Sequence, residues 1–174
     1  MAVALRRFVA HCLAALALCG GLGAGPARAA DPVALAVADF DYADTSGEPN
    51  DQAQAHATLL QRFEQEIRDA VSASGKYRIV TLECPQPPCS AGAMDAESLT
   101  EAAKTSGARL LLYGGIHKMS TLIQFGKAQV VDLETGKLVF DRTITFRGDN
   151  DEAWHRASSF LTGELLSANL SATP

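Results

Sequence analysis

The chain has 174 residues and a mass of 18.4 kDa, with 47% hydrophobic and 20% charged residues. This composition is typical of a globular protein and excludes collagen-like, low-complexity and disordered chains. The net charge of −5 argues against nucleic acid as a partner, since nucleic-acid-binding domains usually carry a basic face.

Residues 1–29 have the features of a secretory signal peptide. Arg6 and Arg7 form the positive start, and the apolar run 8–18 has the length of a hydrophobic signal core. A small-x-small pattern at 27–29 fits a cleavage site. We therefore expect ordinary export of this protein to the periplasm of a Gram-negative bacterium.

Cleavage after residue 29 leaves residues 30–174 as a single periplasmic domain. The mature chain then has 12 basic and 20 acidic residues, because three arginines leave and no acid does, for a net charge of −8. The membrane is a partner only if Cys19 is lipidated. We do not expect this modification, because Leu18 rather than a small residue precedes the cysteine.

The first half of the mature chain predicts a strand, a loop and a helix. The apolar run Pro32–Phe40 is typical of a strand buried on both faces, and residues 41–50 are loop-like in composition. A helix is predicted from an Asp51 cap to about Ser74, and Gly75 ends it. Its inward side chains are predicted to be Leu59, Phe63, Ile67 and Val71, with Leu60 and Ala70 beside them.

Cys84 and Cys89 are the two cysteines that remain after cleavage, in a proline-rich connection. In an oxidising compartment, two cysteines this close favour a structural disulfide. A redox-active pair and a metal site are the alternatives. The four-residue spacer and the lack of nearby ligands make both less suitable.

Four further strands and two helices complete the prediction. The strands are Lys76–Leu82, Arg109–His117, and the hairpin partners Leu122–Leu133 and Lys137–Phe146; the helices run from about Asp95 to Ser106 and from an Asp149 or Asn150 cap to about Ala168. The predicted inward residues of the two helices are Leu99, Ala102, Ala103, Trp154, Ala157, Leu161 and Leu165, with Phe160 and Leu170 adding area.

These elements predict an α/β fold in the order βαβαβββα. We expect a single three-layer domain, with helices packed on a mixed five-stranded sheet of three parallel strands and a C-terminal hairpin. If the third and fourth strands pair antiparallel, the fifth runs parallel to the first three. The carboxyl ends of strands one, three and five then meet at one edge.

Three polar clusters follow those three strand ends. Ligands of open α/β sheets bind at this edge, so the clusters form the candidate binding site, although solvated loops and helix caps would have the same composition. The site residues are Asp39, Asp41, Asp44, Thr45 and Ser46 after the first strand, His117, Lys118, Ser120 and Thr121 after the third, and Arg147, Asp149, Asn150 and Asp151 after the fifth.

Stronger chemical interpretations of these clusters fit less well. Asp39, Asp41 and Asp44 could hold a hard cation, but Ala43 breaks the EF-hand pattern. Ser120 and His117 lack the nucleophile elbow of a hydrolase. No catalytic residue, metal ligand or cofactor is therefore assigned. Arg147 and Lys118 are expected to pair with the aspartates of the first loop and to order all three loops.

The layout of the chain resembles a group of envelope domains. The residues that carry this resemblance are Val33–Phe40, Gly75–Val80, the segment GARLLLYGG at Gly107–Gly115, and VDLETGK at Val131–Lys137. They are similar to the pattern of the TolB amino-terminal domain and of CsgG-like and LpoB-like domains. The resemblance implies a secreted or lipid-anchored protein that acts by contact with other envelope proteins.

Two further segments resemble a family of small exported Gram-negative proteins of unknown function. They are HKMSTLI at His117–Ile123 and FRGDNDEAW at Phe146–Trp154. The cysteine pair of that family has a shorter spacer than Cys84 and Cys89, which puts any redox role in doubt. Sequence reasoning thus favours a non-enzymatic interaction module with an envelope protein as partner. The alternative is a periplasmic protein that binds a small ligand or a metal ion at the acid-rich edge.

Overall fold

A computed structural model of the chain describes residues 31–168 and residue 170. The predicted signal peptide and Cys19 lie outside these residues. The helices in the described part are not long and apolar enough to cross a membrane. In chain order the elements are β1 (Val33–Val37), β2 (Asp41–Asp44), α1 (Ala53–Ala73), β3 (Tyr77–Val80), α2 (Ala96–Thr105), β4 (Leu110–Lys118), β5 (Ile123–Asp132), β6 (Lys137–Arg147) and α3 (Asp151–Ser167).

The strands form one mixed sheet in the order β3-β1-β4-β5-β6, and β2 also pairs with β4. The β1–β3, β1–β4 and β2–β4 pairs are parallel. The β4–β5 and β5–β6 pairs are antiparallel. β6 therefore runs parallel to β1, β2 and β4, as the sequence predicted. The carboxyl ends of β2, β4 and β6 lie at the same edge of the sheet.

The first predicted strand is interrupted, which raises the strand count from five to six. Between β1 and β2, the Asp39 N–H donates to the Cys89 carbonyl at 2.9 Å and the Phe40 N–H donates to Glu64 Oε1 at 2.7 Å. The Phe40 ring turns into the core. The chain then rejoins β4, so the predicted loop at Asp41–Asp44 is wrong. Asp39 is the one polar residue of this run, and the sequence does not show that the strand breaks there, because the break depends on partners elsewhere in the chain.

The helices cover both faces of the sheet and give the predicted three layers. α1 and α3 pack on one face, and the shorter α2 covers the other beside β1 and the start of β4. The inward stripes are confirmed at Leu59, Phe63, Ile67, Val71, Leu99, Ala103, Trp154, Ala157, Leu161 and Leu165, and Leu170 is buried as well. Ala70 and Phe160 were expected inside and are exposed, whereas Leu60 and Ala102 are half-buried.

The helix caps agree with the sequence in two places and differ in one. The Asp95 and Asn150 side chains cap α2 and α3 by accepting backbone N–H groups at 2.9 Å. α1 begins after Gln52, whose side chain makes no cap bond. Asp51 instead accepts the Ala53 N–H at 2.9 Å. The Gln52 amide is used by the buried cluster described below, which explains why the cap position is left without a side-chain acceptor.

Candidate functional site

The three strand ends meet at the candidate site. In the sheet register Asp44 lies opposite Lys118, Lys118 lies opposite Gln124, and Ile123 lies opposite Arg147. Residues from all three polar clusters are therefore neighbours, because parallel strands and a tight hairpin bring their ends to one edge.

Lys118 is the centre of this edge and is fully buried. Its ammonium donates to Asp149 Oδ2 at 2.6 Å, to Gln52 Oε1 at 2.7 Å and to a carboxylate oxygen of Glu48. Asp44 Oδ2 lies 4.0 Å away. One lysine thus connects the loop after β2, the start of α1 and the loop after β6. The predicted pairing of Lys118 with the aspartates of the first loop is found only at Asp44. Its close partners are Glu48, Gln52 and Asp149, of which Glu48 and Gln52 are outside the predicted site.

His56 belongs to the same cluster and was missed by sequence reasoning. It is buried on α1, its Nε2 lies 2.8 Å from Asp149 Oδ2, and its ring stacks at 4.9 Å on Tyr42. Gln124 donates from Nε2 to Asp149 Oδ1 at 3.2 Å. One sequence feature could have indicated this cluster. Gln52 and His56 are four residues apart at the start of a helix that follows an acidic loop.

The charges of the cluster shift the pKa values of its members. Burial alone would raise the pKa of Asp149, but hydrogen bonds from Lys118 and His56 outweigh it and hold the pKa below its usual range. Burial would lower the pKa of Lys118, but hydrogen bonds to Asp149 and Glu48 outweigh it and raise the pKa. Lys118 and Asp149 are therefore held in their ionised forms at neutral pH.

The pKa values of Tyr42 and Asp44, which border the cluster, are shifted as well. Burial, followed by the charges of Asp44 and Asp149, raises the pKa of Tyr42 far above its ordinary value. The pKa of Asp44 is lowered, chiefly because the side chain and backbone N–H of Ser46 hydrogen-bond to its carboxylate. Tyr42 therefore stays neutral and Asp44 stays charged throughout the physiological range.

Asp39 and Asp41 do not join the Lys118 cluster. Asp39 Oδ2 accepts the Cys89 N–H at 2.8 Å, and Asp41 accepts the Ser90 hydroxyl at 2.6 Å and the Gly92 N–H at 2.8 Å. Both carboxylates therefore hold the disulfide loop against the sheet. The predicted disulfide between Cys84 and Cys89 is confirmed. Asp39, Asp41 and Asp44 do not converge on one point, so the suggested cation site is not formed by them.

The predicted pairing of Arg147 with the aspartates of the first loop is wrong. The side chain is exposed, and within residues 31–168 it makes no ion pair. Its position on β6 places it on the face of the sheet opposite Lys118, because Ile123 and Arg147 are paired and Lys118 pairs with the next residue, Gln124. Strand alternation therefore separates two cations that are close in the sheet.

His117 and Thr45 form a local contact on that second face. His117 Nε2 lies 2.8 Å from the Thr45 hydroxyl, and the Thr45 N–H donates to the Lys118 carbonyl at 2.9 Å. The Ser46 N–H donates to Asp44 Oδ1 at 2.8 Å. These bonds stabilise the loop after β2 and leave His117 as a hydrogen-bonded strand-end histidine.

The remaining predicted site residues shape turns and helix ends. The Ser120 hydroxyl accepts the Ile123 N–H at 3.1 Å within the β4–β5 turn, and Thr121 is exposed beside it. Asn150 caps α3, and Asp151 pairs with Arg62 at 2.7 Å. Binding of a partner by Ser120, Thr121 and Asn150, which belong to the predicted site, stays a prediction.

Apolar side chains crowd the same edge, and the sequence analysis did not single them out as a site. Met119 and Leu122 are 51% and 58% exposed, Phe125 is 36% exposed, and Ile123 is half-buried between them. We call these four residues the apolar tip. They lie in and next to the β4–β5 turn, and the sheet face beside Phe125 is not covered by α2. Large apolar side chains grouped at one exposed edge are typical of a contact surface.

Two cavities border the edge. One of about 450 Å³ is lined by Tyr42, Asp44, Gln52 and His56 on the helix side. The other, of about 360 Å³, lies on the uncovered face above Gly115. No group of three His, Cys, Asp or Glu side chains among the described residues is arranged to hold a metal ion.

Several solved structures are similar to this chain. TolB from Acinetobacter baumannii aligns with a TM-score of 0.50 and 12% identity, over 79% of this chain but only 28% of TolB. The PelC dodecamer from Paraburkholderia phytofirmans aligns at 0.48 and 17% identity, over 83% of this chain and 92% of that one. The LpoB C-terminal domain from Salmonella enterica aligns at 0.46 and 18% identity, over 66% and 82%. At 12% identity, the likeness to TolB concerns the fold alone.

No curated protein matches the sequence. The model of the DUF3280 family, whose description reads "Protein of unknown function (DUF2380)", matches residues 33–166. This match covers most of the chain and confirms the resemblance to a family of unknown function. The chain therefore belongs to the DUF3280 family.

Proposed function

We propose that this domain is a non-enzymatic interaction module of the cell envelope. It binds a protein partner through the loops that follow β2, β4 and β6. The observation that carries the proposal is the apolar tip, which is exposed at the edge where those three loops meet.

The Lys118 cluster supports this role because it makes the edge rigid. It ties the loop after β2, the start of α1 and the loop after β6 to one buried ammonium group. A preorganised surface loses less conformational entropy when a partner binds. The apolar tip is therefore presented on a fixed frame.

The polar groups that a hydrolase would need are engaged in internal contacts. His117 bonds Thr45, and the Ser120 hydroxyl accepts backbone N–H groups of its own turn. These contacts favour binding over catalysis as the use of the edge. The location in the envelope rests on the predicted signal peptide, the envelope-domain resemblance and the disulfide.

Photo-crosslinking in living cells tests this proposal. A photoreactive residue replaces Leu122 in the apolar tip, and the matched control replaces Leu138, which is 48% exposed at the far end of β6. We expect a defined adduct with an envelope protein at position 122 and none at position 138. Equal labelling at both positions, or none at 122, would contradict the proposal.

Binding of a small ligand is the second candidate function, because the 450 Å³ cavity adjoins the cluster. It predicts a thermal shift of the purified protein with a metabolite or divalent metal. A ligand at about 100 times its Kd stabilises by about 2.7 kcal/mol. A shift that disappears in Tyr42→Ala, together with no adduct at position 122, would favour this function over protein binding.

A further inference from the structure

β6 is a long edge strand that the described part of the chain leaves open on its outer side. It has 11 residues, and β5 is its one strand partner among residues 31–168 and 170. An open edge of this length presents a row of unpaired backbone groups and is a template for pairing with another chain.

The hydrogen-bond pattern identifies which backbone groups of β6 point outward. The Gly148 N–H donates to the Leu122 carbonyl at 3.0 Å, which continues the β5–β6 ladder. In an antiparallel ladder, bonded residues alternate along each strand. The even-numbered residues near the end of β6 therefore bond to β5. The N–H and C=O groups of Asp141, Thr143, Thr145 and Arg147 point away from the sheet.

The opposite side of the sheet is protected, which makes the open edge specific to β6. β3 is only four residues long. The edge beside β2 is covered by the disulfide loop, which bonds Asp39 and Asp41. Short edges and covering loops are the usual means by which proteins prevent edge-to-edge pairing. β6 has neither.

Phe160 gives an independent indication that something covers this edge. It is 56% exposed on α3, although its position next to an apolar helix stripe predicted burial. It lies one turn before Glu164, whose carboxylate binds Arg142 of β6 at 2.8 Å. α3 runs back along β6, so one turn of about 5.4 Å places Phe160 beside residues near Ile144.

The charges of β6 are complementary to those of a second, antiparallel β6. A two-fold axis at Ile144 places Asp141 of each copy opposite Arg147 of the other copy. It also places Thr143 of each copy opposite Thr145 of the other. All four are residues with outward backbone groups, so the required hydrogen bonds can form. Full overlap of the strands would instead oppose Lys137 and Arg147, which repel each other.

We propose that two copies of this chain associate through antiparallel β6–β6 pairing centred on Ile144, with the two Phe160 rings packed beside the axis. The two sheets become one continuous sheet. The interface uses the outer edge of β6, one strand away from Ile123 and Phe125 of the apolar tip, and does not depend on the function proposed above.

Sedimentation equilibrium of the purified exported protein tests this proposal. We expect a reversible dimer of two chains. Thr143→Pro removes an outward N–H that has no hydrogen-bond acceptor among the described residues. Phe160→Ser removes the apolar contact. Each is expected to raise the dimer dissociation constant by at least about tenfold. The matched control is Leu138→Ser, which removes an exposed side chain on the part of β6 outside the 141–147 overlap and leaves the dissociation constant unchanged.

Cysteine cross-linking tests the register. Copies with Thr143→Cys, mixed with copies with Thr145→Cys, are expected to form a disulfide-linked heterodimer, since directly opposed residues are close enough for a disulfide. A single-chain mass at all concentrations would overturn the proposal, as would a dimer that both variants leave intact. If circular dichroism shows that Thr143→Pro is unfolded, Phe160→Ser on the exposed helix face decides the outcome.

Discussion

Replacement of Lys118 by Met is the most direct test of the buried cluster. The substitution keeps the length of the side chain and removes its charge. Asp149 and Glu48 lose the cation that they contact, and their own side chains are only 16% and 21% exposed. Breaking a buried ion pair by removing one partner costs about 3–5 kcal/mol. We expect the lower end, about 3 kcal/mol, because the carboxylates keep some access to water.

The pH dependence of this loss identifies its electrostatic origin. The folded-state pKa of Asp149 is depressed, so its pairing stabilises the protein above the unfolded-state pKa of about 4 and is lost as pH falls. The raised pKa of Lys118 means that its contribution is present at neutral pH and is lost as pH rises above its folded value. The deficit of Lys118→Met is therefore expected to be largest near neutral pH and smaller near about pH 3.

Urea unfolding at a series of pH values measures this effect. The matched control is Lys127→Met, since Lys127 is 54% exposed and lies 3.7 Å from Asp141. An exposed pair of this kind contributes about 1 kcal/mol or less. A Lys118→Met deficit no larger than that of the control, or one that does not change with pH, would refute the assignment of Lys118 as the centre of the edge.

Three further predictions follow from the same contacts. At concentrations where the protein is a single chain, Arg147→Ala is expected to change the free energy of unfolding by less than about 0.5 kcal/mol, and a larger loss in urea unfolding would mean that it has a partner within its own chain. Cys84→Ser is expected to cost about 2 kcal/mol through the lost loop closure, with a native circular dichroism spectrum, and an unfolded variant would contradict this. Asp41→Ala frees Ser90 and Gly92, so dithiothreitol is expected to reduce the disulfide with Cys89 faster than in the wild type; an unchanged reduction rate would show that Asp41 does not hold the loop.

Local patterns in the sequence were sufficient for most of the fold. The four-residue spacing of Leu59, Phe63, Ile67 and Val71 predicted the buried side of α1, because helical periodicity is a local property. The short link that ends at Gly136 predicted the β5–β6 hairpin, and the hairpin then determined that β6 runs parallel to β4. The meeting of three strand ends followed from these elements.

The tertiary structure alone decided which polar residues meet at that edge. Strand alternation placed Lys118 on the buried face and Arg147 on the other face. Each of them is nevertheless the last residue of its strand, and the two strands end at the same edge. The partners Glu48 and Gln52 come from 70 and 66 positions away in the chain, so no local spacing relates them to Lys118. Exposure of the apolar tip and of Phe160 likewise depends on which faces the helices cover. Periodicity assigns a side chain to a face of its own element, but burial also requires another element to pack there.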